Sequence, residues 1–168
     1  QKLNPFACKP EGFAAGAGHG STFADRYGNL WHIGTMTISQ KHMFERRLGL
    51  FPVFTDDEGT MYCDTRFGDY PYILPHKKIN TFEDIFPGWM LLSYNKPVEV
   101  SSFVDSLPAS YMTDEDIRTY WAAKSGNEGV YALLDLSNTC AVYAVQVNFA
   151  EHDTGIYGRQ EGLCYRYI

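Results

Sequence analysis

The chain has 168 residues, a formal net charge of −6, an apolar fraction of 45% and an aromatic fraction of 15%. This length allows one core of ordinary size or two small ones, and the composition argues for an all-β globular protein and against disorder. The acidic charge, with no Lys/Arg cluster longer than two residues, argues against nucleic-acid partners. No apolar run reaches membrane-spanning length, so we expect no membrane insertion.

The first segment, residues 4–16, contains several Pro and Gly residues and is predicted to be a loop. Glu11 in this loop would suit a general acid if burial raised its pKa. The alternative is a solvated carboxylate or a partner of Lys9. The four cysteines lack C-x-x-C spacing, which argues against a zinc or thioredoxin-like site, and a Cys140–Cys164 disulfide stays open.

A glycine-rich stretch follows, in which His19 stands between Gly18 and Gly20. Because glycine has no Cβ, neighbouring backbone can approach closely, so we expect the imidazole to lie where strands crowd together. Residues 25–29 carry turn chemistry, and residues 30–38 are predicted to form a strand. The period of two places Trp31 and His32 on opposite faces of this strand.

Two adjacent arginines, Arg46 and Arg47, face opposite ways if the backbone there is extended. One guanidinium then either binds a carboxylate or sugar hydroxyls, or forms a surface pair with Glu45. Residues 53–62 are predicted to be a hairpin with a solvated acidic turn at 56–59, because the spacing of a calcium loop is absent.

The loop FGDYP at residues 67–71 has two aromatic rings, which either stack on a sugar or pack in the core. Residues 81–88 are predicted to contain one helical turn capped by Thr81, and they are the candidate domain boundary.

Beyond that boundary, Thr113 either caps a turn with Asp116 at its third position, or nearby oxygen atoms bind Ca²⁺. Residues 130–136 and 140–150 are predicted strands, and the alternation in the second predicts a sandwich. Its apolar face consists of Tyr143, Val145, Val147 and Phe149.

Several motifs together carry a family resemblance. GHGS at 18–21, WHIGTM at 31–36, FERRLGLFP at 44–52 and FGDYP at 67–71 resemble the C-terminal blades of a family 43 glycoside hydrolase. From residue 93 onward, YNKP at 94–97, residues 114–121 and LLDL at 133–136 resemble the start of a discoidin (coagulation factor 5/8 type C) domain.

The resemblance implies an all-β fold in which the C-terminal blades of a five-bladed β-propeller are joined to part of a β-sandwich jelly roll. The domains would be residues 1–92 and 93–168. A blade has four strands, so the first ninety residues should supply about two blades. The chain starts without Met and ends in residues 165–168, which read as the opening of a strand, so we expect a fragment of a longer protein.

The implied activity is hydrolysis of O-glycosidic bonds in arabinose-, xylose-type or related polysaccharides or oligosaccharides. Hydrolysis is inverting in this family: one carboxylate activates water, a protonated Glu donates its proton to the leaving oxygen, and an Asp tunes that acid. These carboxylates belong to earlier blades, which would precede Gln1. Glu11 is a poor substitute because Gly12 and Phe13 follow it. The alternative is a non-catalytic carbohydrate-binding protein, in which the discoidin-like part and the aromatic loops hold a glycan.

Three residues carry over from the family. His19 matches a position that reaches the propeller axis and contacts a calcium ion or its water shell. Arg46, and less securely Arg47, falls near a position that contacts the sugar, and strand register decides between them. His32 is expected to pack or hydrogen-bond within its blade. The resemblance also implies an extracellular or periplasmic protein.

Overall fold

The computed structural model describes residues 6–9, 12, 14–37, 46–86, 88–150 and 152. Six strands are the main regular elements of these ranges, and the only helices within them are two short 3-10 helices, Phe82–Asp84 and Ala109–Met112. The predicted all-β class is therefore confirmed. No helix in the described ranges is long and apolar enough to cross a membrane.

The first part of the chain forms a four-stranded antiparallel sheet in which each strand pairs with the next along the chain. The strands are β1 (Ala15–Ala24), β2 (Leu30–Thr37), β3 (Arg46–Thr55) and β4 (Met61–Cys63). The predicted strand at residues 30–38 and the hairpin at 53–62 are thus observed, and β3 begins seven residues before that hairpin.

Both faces of this sheet are covered, because apolar side chains occupy both sets of alternating positions. On one face Trp31 belongs to a buried aromatic cluster, and on the other Phe51 and Met36 form a second cluster with two alanines. Trp31 and His32 lie on opposite faces as predicted, and both are buried.

The apolar side chains of residues 64–86 pack against the sheet on the Trp31 face, Gly68 and Asp69 lie next to Phe51 and Ala14 of the other cluster, and the segment adds no strand. The Phe67 ring stacks on Phe86 and Phe82, with ring centroids 4.6 and 5.4 Å apart. The core interpretation of this loop residue is therefore confirmed. The expectation of two blades in the first ninety residues is wrong for the described residues, because the Pro-containing segment 64–86 covers the sheet instead of extending it.

The helical turn predicted after Thr81 is observed as the 3-10 helix Phe82–Asp84. The Asp84 carboxylate accepts hydrogen bonds from the backbone N–H groups of Asn80 (2.9 Å) and Thr81 (3.2 Å). These bonds from the Asp84 side chain explain why the turn forms at this point in the sequence.

The second part contains two short strands, β5 (Val98–Val100) and β6 (Ala132–Leu134), which pair antiparallel. The predicted strand at 130–136 is thus reduced to three residues. The strand predicted at 140–150 is wrong, because residues 141–149 lie exposed with no sheet pairing. Val145 is 81% exposed and Tyr143 is 74% exposed.

The predicted cap at Thr113 is also wrong. Thr113 ends the 3-10 helix Ala109–Met112 instead of beginning a new turn. Its buried hydroxyl donates to the carbonyl of Lys96 at 3.1 Å. Asp114 organises the residues that follow, because its carboxylate accepts the Asp116 N–H (3.0 Å) and the Thr119 hydroxyl (2.6 Å).

Contacts cross the predicted boundary between residues 92 and 93, which stays a prediction. The Tyr70 hydroxyl donates to Glu115 Oε2 at 3.0 Å. The Gln146 amide donates to the Asp69 carbonyl at 2.9 Å. Ile117 packs against the cluster that contains Phe51. The two parts therefore share polar and apolar contacts.

Candidate functional site

The site begins with an irregularity in β1. Pairing between β1 and β2 shifts register between Gly16 and Gly18 and again between Gly18 and Ser21. His19 lies in the second shift with a left-handed backbone (φ 46°), and its side chain is exposed. A bulge bends a strand and redirects the side chains at that point. The bulge therefore presents the imidazole at the surface.

The expected crowding around the glycines is present, but a different imidazole occupies it. A Cβ on Gly20 would lie 2.1 Å from the Ile33 carbonyl oxygen and 2.6 Å from His32 Nε2. His32 is buried, and its Nδ1 is 3.1 Å from the Thr22 hydroxyl. The prediction that His32 bonds within the sheet is confirmed, whereas the His19 ring does not lie in the crowded position.

A chain of hydrogen bonds connects the bulge to β3. The Thr35 hydroxyl donates to the carbonyl of Gly18 at 3.0 Å, and Arg46 Nη1 donates to the Thr35 hydroxyl at 3.4 Å. Thr35 therefore links Arg46 to the backbone next to His19. These two residues, which the sequence analysis singled out, lie at the same end of the sheet. Leu48, which pairs with Thr35 across the strands, is 74% exposed beside them.

Strand register separates the two arginines. Arg46 pairs with Thr37, and Arg47 pairs with Met36, which belongs to the cluster on the opposite face. Arg47 is half-buried, and its Nη1 donates to the Arg46 carbonyl at 3.3 Å. Arg46 is therefore the arginine that shares a face with Thr35, and which of the two contacts a sugar stays a prediction. Glu45 and Glu11 lie outside the described residues.

The described part of the chain contains no group of three or more His, Cys, Asp or Glu side chains able to hold a metal ion. A calcium ion needs six to eight oxygen ligands, and one imidazole does not supply them. The described residues by themselves do not fit a calcium site, and the role of His19 toward calcium stays a prediction.

A buried ion pair fixes the start of β1. Lys9 Nζ lies 3.1 Å from Asp69 Oδ1, and both side chains are almost fully buried. Asp69 Oδ2 accepts the Ala14 N–H at 3.1 Å, and Lys9 Nζ donates to the Arg66 carbonyl at 3.0 Å. Removing one partner of such a pair leaves an uncompensated charge in the interior, so Asp69 holds the strand that carries His19 in place.

Sequence reasoning missed Thr35 and Asp69. No local pattern marks Thr35, because its bond to Gly18 depends on the bulge register. Lys9 and Asp69 are sixty residues apart in sequence, so no local pattern links them.

The cysteines Cys8, Cys63 and Cys140 are free thiols, and burial raises the pKa of Cys63 to about 12. Cys164 lies outside the described residues.

Comparisons with protein-family models, with curated protein sequences and with solved structures found no match to this chain.

Proposed function

We propose that the chain contributes the glycan-binding rim of a family 43-like glycoside hydrolase, with Arg46 as the sugar-contacting residue. The observation that carries the proposal is the chain of hydrogen bonds from Arg46 through Thr35 to the bulge of His19. The four-stranded antiparallel sheet supports it, because such a sheet is the unit of a propeller blade. The resemblance of the motifs in residues 1–92 supplies the family.

The rim consists of Arg46, Thr35 and Leu48, and its chemistry suits a sugar. A guanidinium offers several N–H donors in a planar fork, which matches pairs of hydroxyl oxygens. The exposed Leu48 side chain lies next to Thr35 and offers an apolar contact for the C–H face of a ring. A pentose or hexose presents both hydroxyl groups and an apolar C–H face. Its hydroxyl groups would accept hydrogen bonds from Arg46, and its C–H face would pack against Leu48.

In this proposal the acid, the base and the carboxylate that tunes the acid belong to blades that precede Gln1 in the longer enzyme, which acts outside the cytoplasm. The described residues position the sugar, and His19 lies toward the propeller axis, where the family holds calcium. The bulge would direct His19 toward that point, and the Lys9–Asp69 pair would keep the bulged strand in place.

A second candidate is non-catalytic carbohydrate binding by the discoidin-like part together with the end of the segment that precedes it. The observation that favours it is an aromatic pair in which the Trp89 and Tyr143 rings stack nearly parallel, with centroids 5.8 Å apart. Tyr143 is 74% exposed. An exposed aromatic ring can pack against the apolar face of a sugar.

The test uses the natural full-length protein. We expect it to hydrolyse an aryl α-L-arabinofuranoside or an aryl β-D-xyloside, and Arg46→Ala to raise KM by about tenfold or more through the lost charged hydrogen bonds. Arg118→Ala is the matched control, because Arg118 is an exposed arginine paired only locally with Asp116. Binding of xylo- or arabino-oligosaccharides without hydrolysis would favour the second candidate. Absence of both would contradict the glycan proposal.

A further inference from the structure

A cleft of about 390 Å³ lies within residues 64–86, the segment that packs against the sheet. It lies beside the 3-10 helix Phe82–Asp84, and its lining combines apolar and charged residues. The lining consists of Ile73, Pro75, His76, Lys77, Asp84, Ile85 and Phe86. A volume of this size lies in the lower part of the range that small organic ligands occupy.

The apolar part of the cleft belongs to the aromatic core. Ile85 is 3% exposed and is a member of the Trp31 cluster, and Phe86 packs against the same cluster. Ile73, on the facing segment, is 56% exposed. A ligand with an apolar body would therefore cover Ile73 while resting on residues that the core already holds rigid.

The charged groups at the cleft differ in how many hydrogen bonds they already make. Asp84 Oδ2 already accepts two backbone N–H groups, and these bonds, together with the charge of Lys77, keep the pKa of Asp84 low. Lys78 is also committed, because its ammonium donates to the Gly28 carbonyl. Among the described residues, neither the Lys77 ammonium nor the His76 ring has a hydrogen-bond partner. Both side chains are exposed at the cleft, so they are available to donate hydrogen bonds to a bound anion.

We propose that this cleft binds a small organic carboxylate, with the carboxylate on Lys77 and His76 and the apolar body on Ile73, Ile85 and Phe86. The available donors favour the acid, because the Lys77 ammonium and the His76 ring can donate to a carboxylate, whereas the facing Asp84 carboxylate already accepts two backbone N–H groups. The inference is independent of the glycan proposal, since none of Arg46, Thr35 and Leu48 lines this cleft.

Three probes with one apolar body test it: 4-phenylbutyrate, 4-phenylbutanol and 4-phenylbutylamine. In a ¹⁵N-labelled chain we expect the carboxylate to shift the amide signals of Ile85 and Phe86 saturably, with Kd on the order of 1 mM for a ligand this small. The alcohol should bind about tenfold more weakly, because it lacks the charged hydrogen bonds. Equal binding of the alcohol, or tighter binding of the amine, would overturn the proposal.

Two variants complete the test. Lys77→Glu changes an exposed side chain, so it should fold normally and weaken binding of 4-phenylbutyrate by about tenfold or more. Lys124→Glu makes the same charge change at an exposed lysine that does not line the cleft, and it should leave binding unchanged. Equal losses in both variants would mean that net charge, and not the cleft, attracts the ligand, and would also overturn the proposal.

Discussion

Two hairpin turns of the sheet have the same local structure but different surroundings. Residues 25–29 connect β1 to β2, and residues 56–60 connect β3 to β4. In both, the first Asp accepts the N–H groups two and four residues later through Oδ1, at 2.8 and 2.9 Å in the first turn and 3.0 and 2.7 Å in the second. Gly28 (φ 77°) and Gly59 (φ 80°) adopt the same left-handed backbone.

The turns differ in what lies beyond the shared pattern. Asp25 Oδ2 also accepts the Asn29 amide at 2.9 Å and the Trp31 indole N–H at 3.0 Å. Asn29 is buried, donates to the Lys77 carbonyl and accepts the Ile79 N–H. The equivalent positions of the second turn are Thr60 and the exposed Tyr62. The pattern Asp-x-x-Gly therefore determines the turn, whereas the residues four and six positions after the Asp decide whether the turn is anchored to the core.

The largest expected effect is that of Asn29→Ala. Alanine would leave the buried N–H of Ile79 without its acceptor and the Lys77 carbonyl without its donor. We expect the free energy of unfolding to fall by about 2 to 4 kcal/mol, measured by urea denaturation with tryptophan fluorescence. Thr60→Ala, at the equivalent position of the second turn, should cost about 0.5 kcal/mol or less. Equal losses would show that the anchoring contributes nothing.

A smaller effect is expected where the turns are alike. A Cβ on Gly28 or on Gly59 would meet no atom, so alanine at either position is penalised only by its left-handed backbone. Each substitution should lower the free energy of unfolding by about 1 to 2 kcal/mol. Gly126→Ala is the control, because that position is also open and does not have a left-handed φ. A much larger loss at Gly28 than at Gly59 would contradict the likeness of the two turns.

The smallest expected effect is the contribution of Asp25 to stability, which changes only at acidic pH. Partial desolvation raises the pKa of Asp25, but the hydrogen bonds from Trp31, Asn29 and Tyr27 outweigh it and lower the pKa from 3.8 to about 2. The folded state then binds fewer protons than the unfolded state, so the stabilisation is complete above the ordinary pKa and is lost as the pH falls through about 2.

Thermal unfolding measured from pH 5 down to pH 2 tests this titration, because that window of about three units contains both pKa values. Asp25→Asn should show a shallower fall in Tm across the window than the wild type, because asparagine does not titrate. Asp56→Asn is the matched control, because it makes the same change in the turn that lacks the side-chain bonds from Asn29 and Trp31. A wild-type slope in Asp25→Asn would mean that other carboxylates cause the acid sensitivity.

Local patterns predicted the parts of the fold that short-range chemistry determines. Alternation located β2, the turn residues located both hairpins, and Thr81 with Asp84 located a helical turn. The predicted strand at 140–150 failed for the converse reason. Its alternation defines an apolar face, but a strand also needs a neighbour, and no described strand pairs with residues 141–149. The predicted cap at Thr113 is wrong because its hydroxyl donates to the carbonyl of Lys96, a partner seventeen residues away.

The candidate site was predictable residue by residue but not as an arrangement. His19 and Arg46 were identified from their motifs, while the link between them runs through Thr35 and depends on a bulge whose register no pattern specified. The Lys9–Asp69 pair likewise depends on how the segment around Asp69 folds back over the start of β1. Contacts between distant segments decide such features, and sequence spacing does not encode them.

The exposed stretch AVYAVQVNFA at residues 141–150 has a consequence for work with this protein in concentrated solution. It contains no charged residue and no proline, and it is rich in β-branched and aromatic side chains. Such windows stack on identical copies into dry, interdigitated fibrils when they meet at high concentration. The segment is therefore the place to introduce a lysine if stocks become turbid, because one charge on each copy repels the next along a growing fibril.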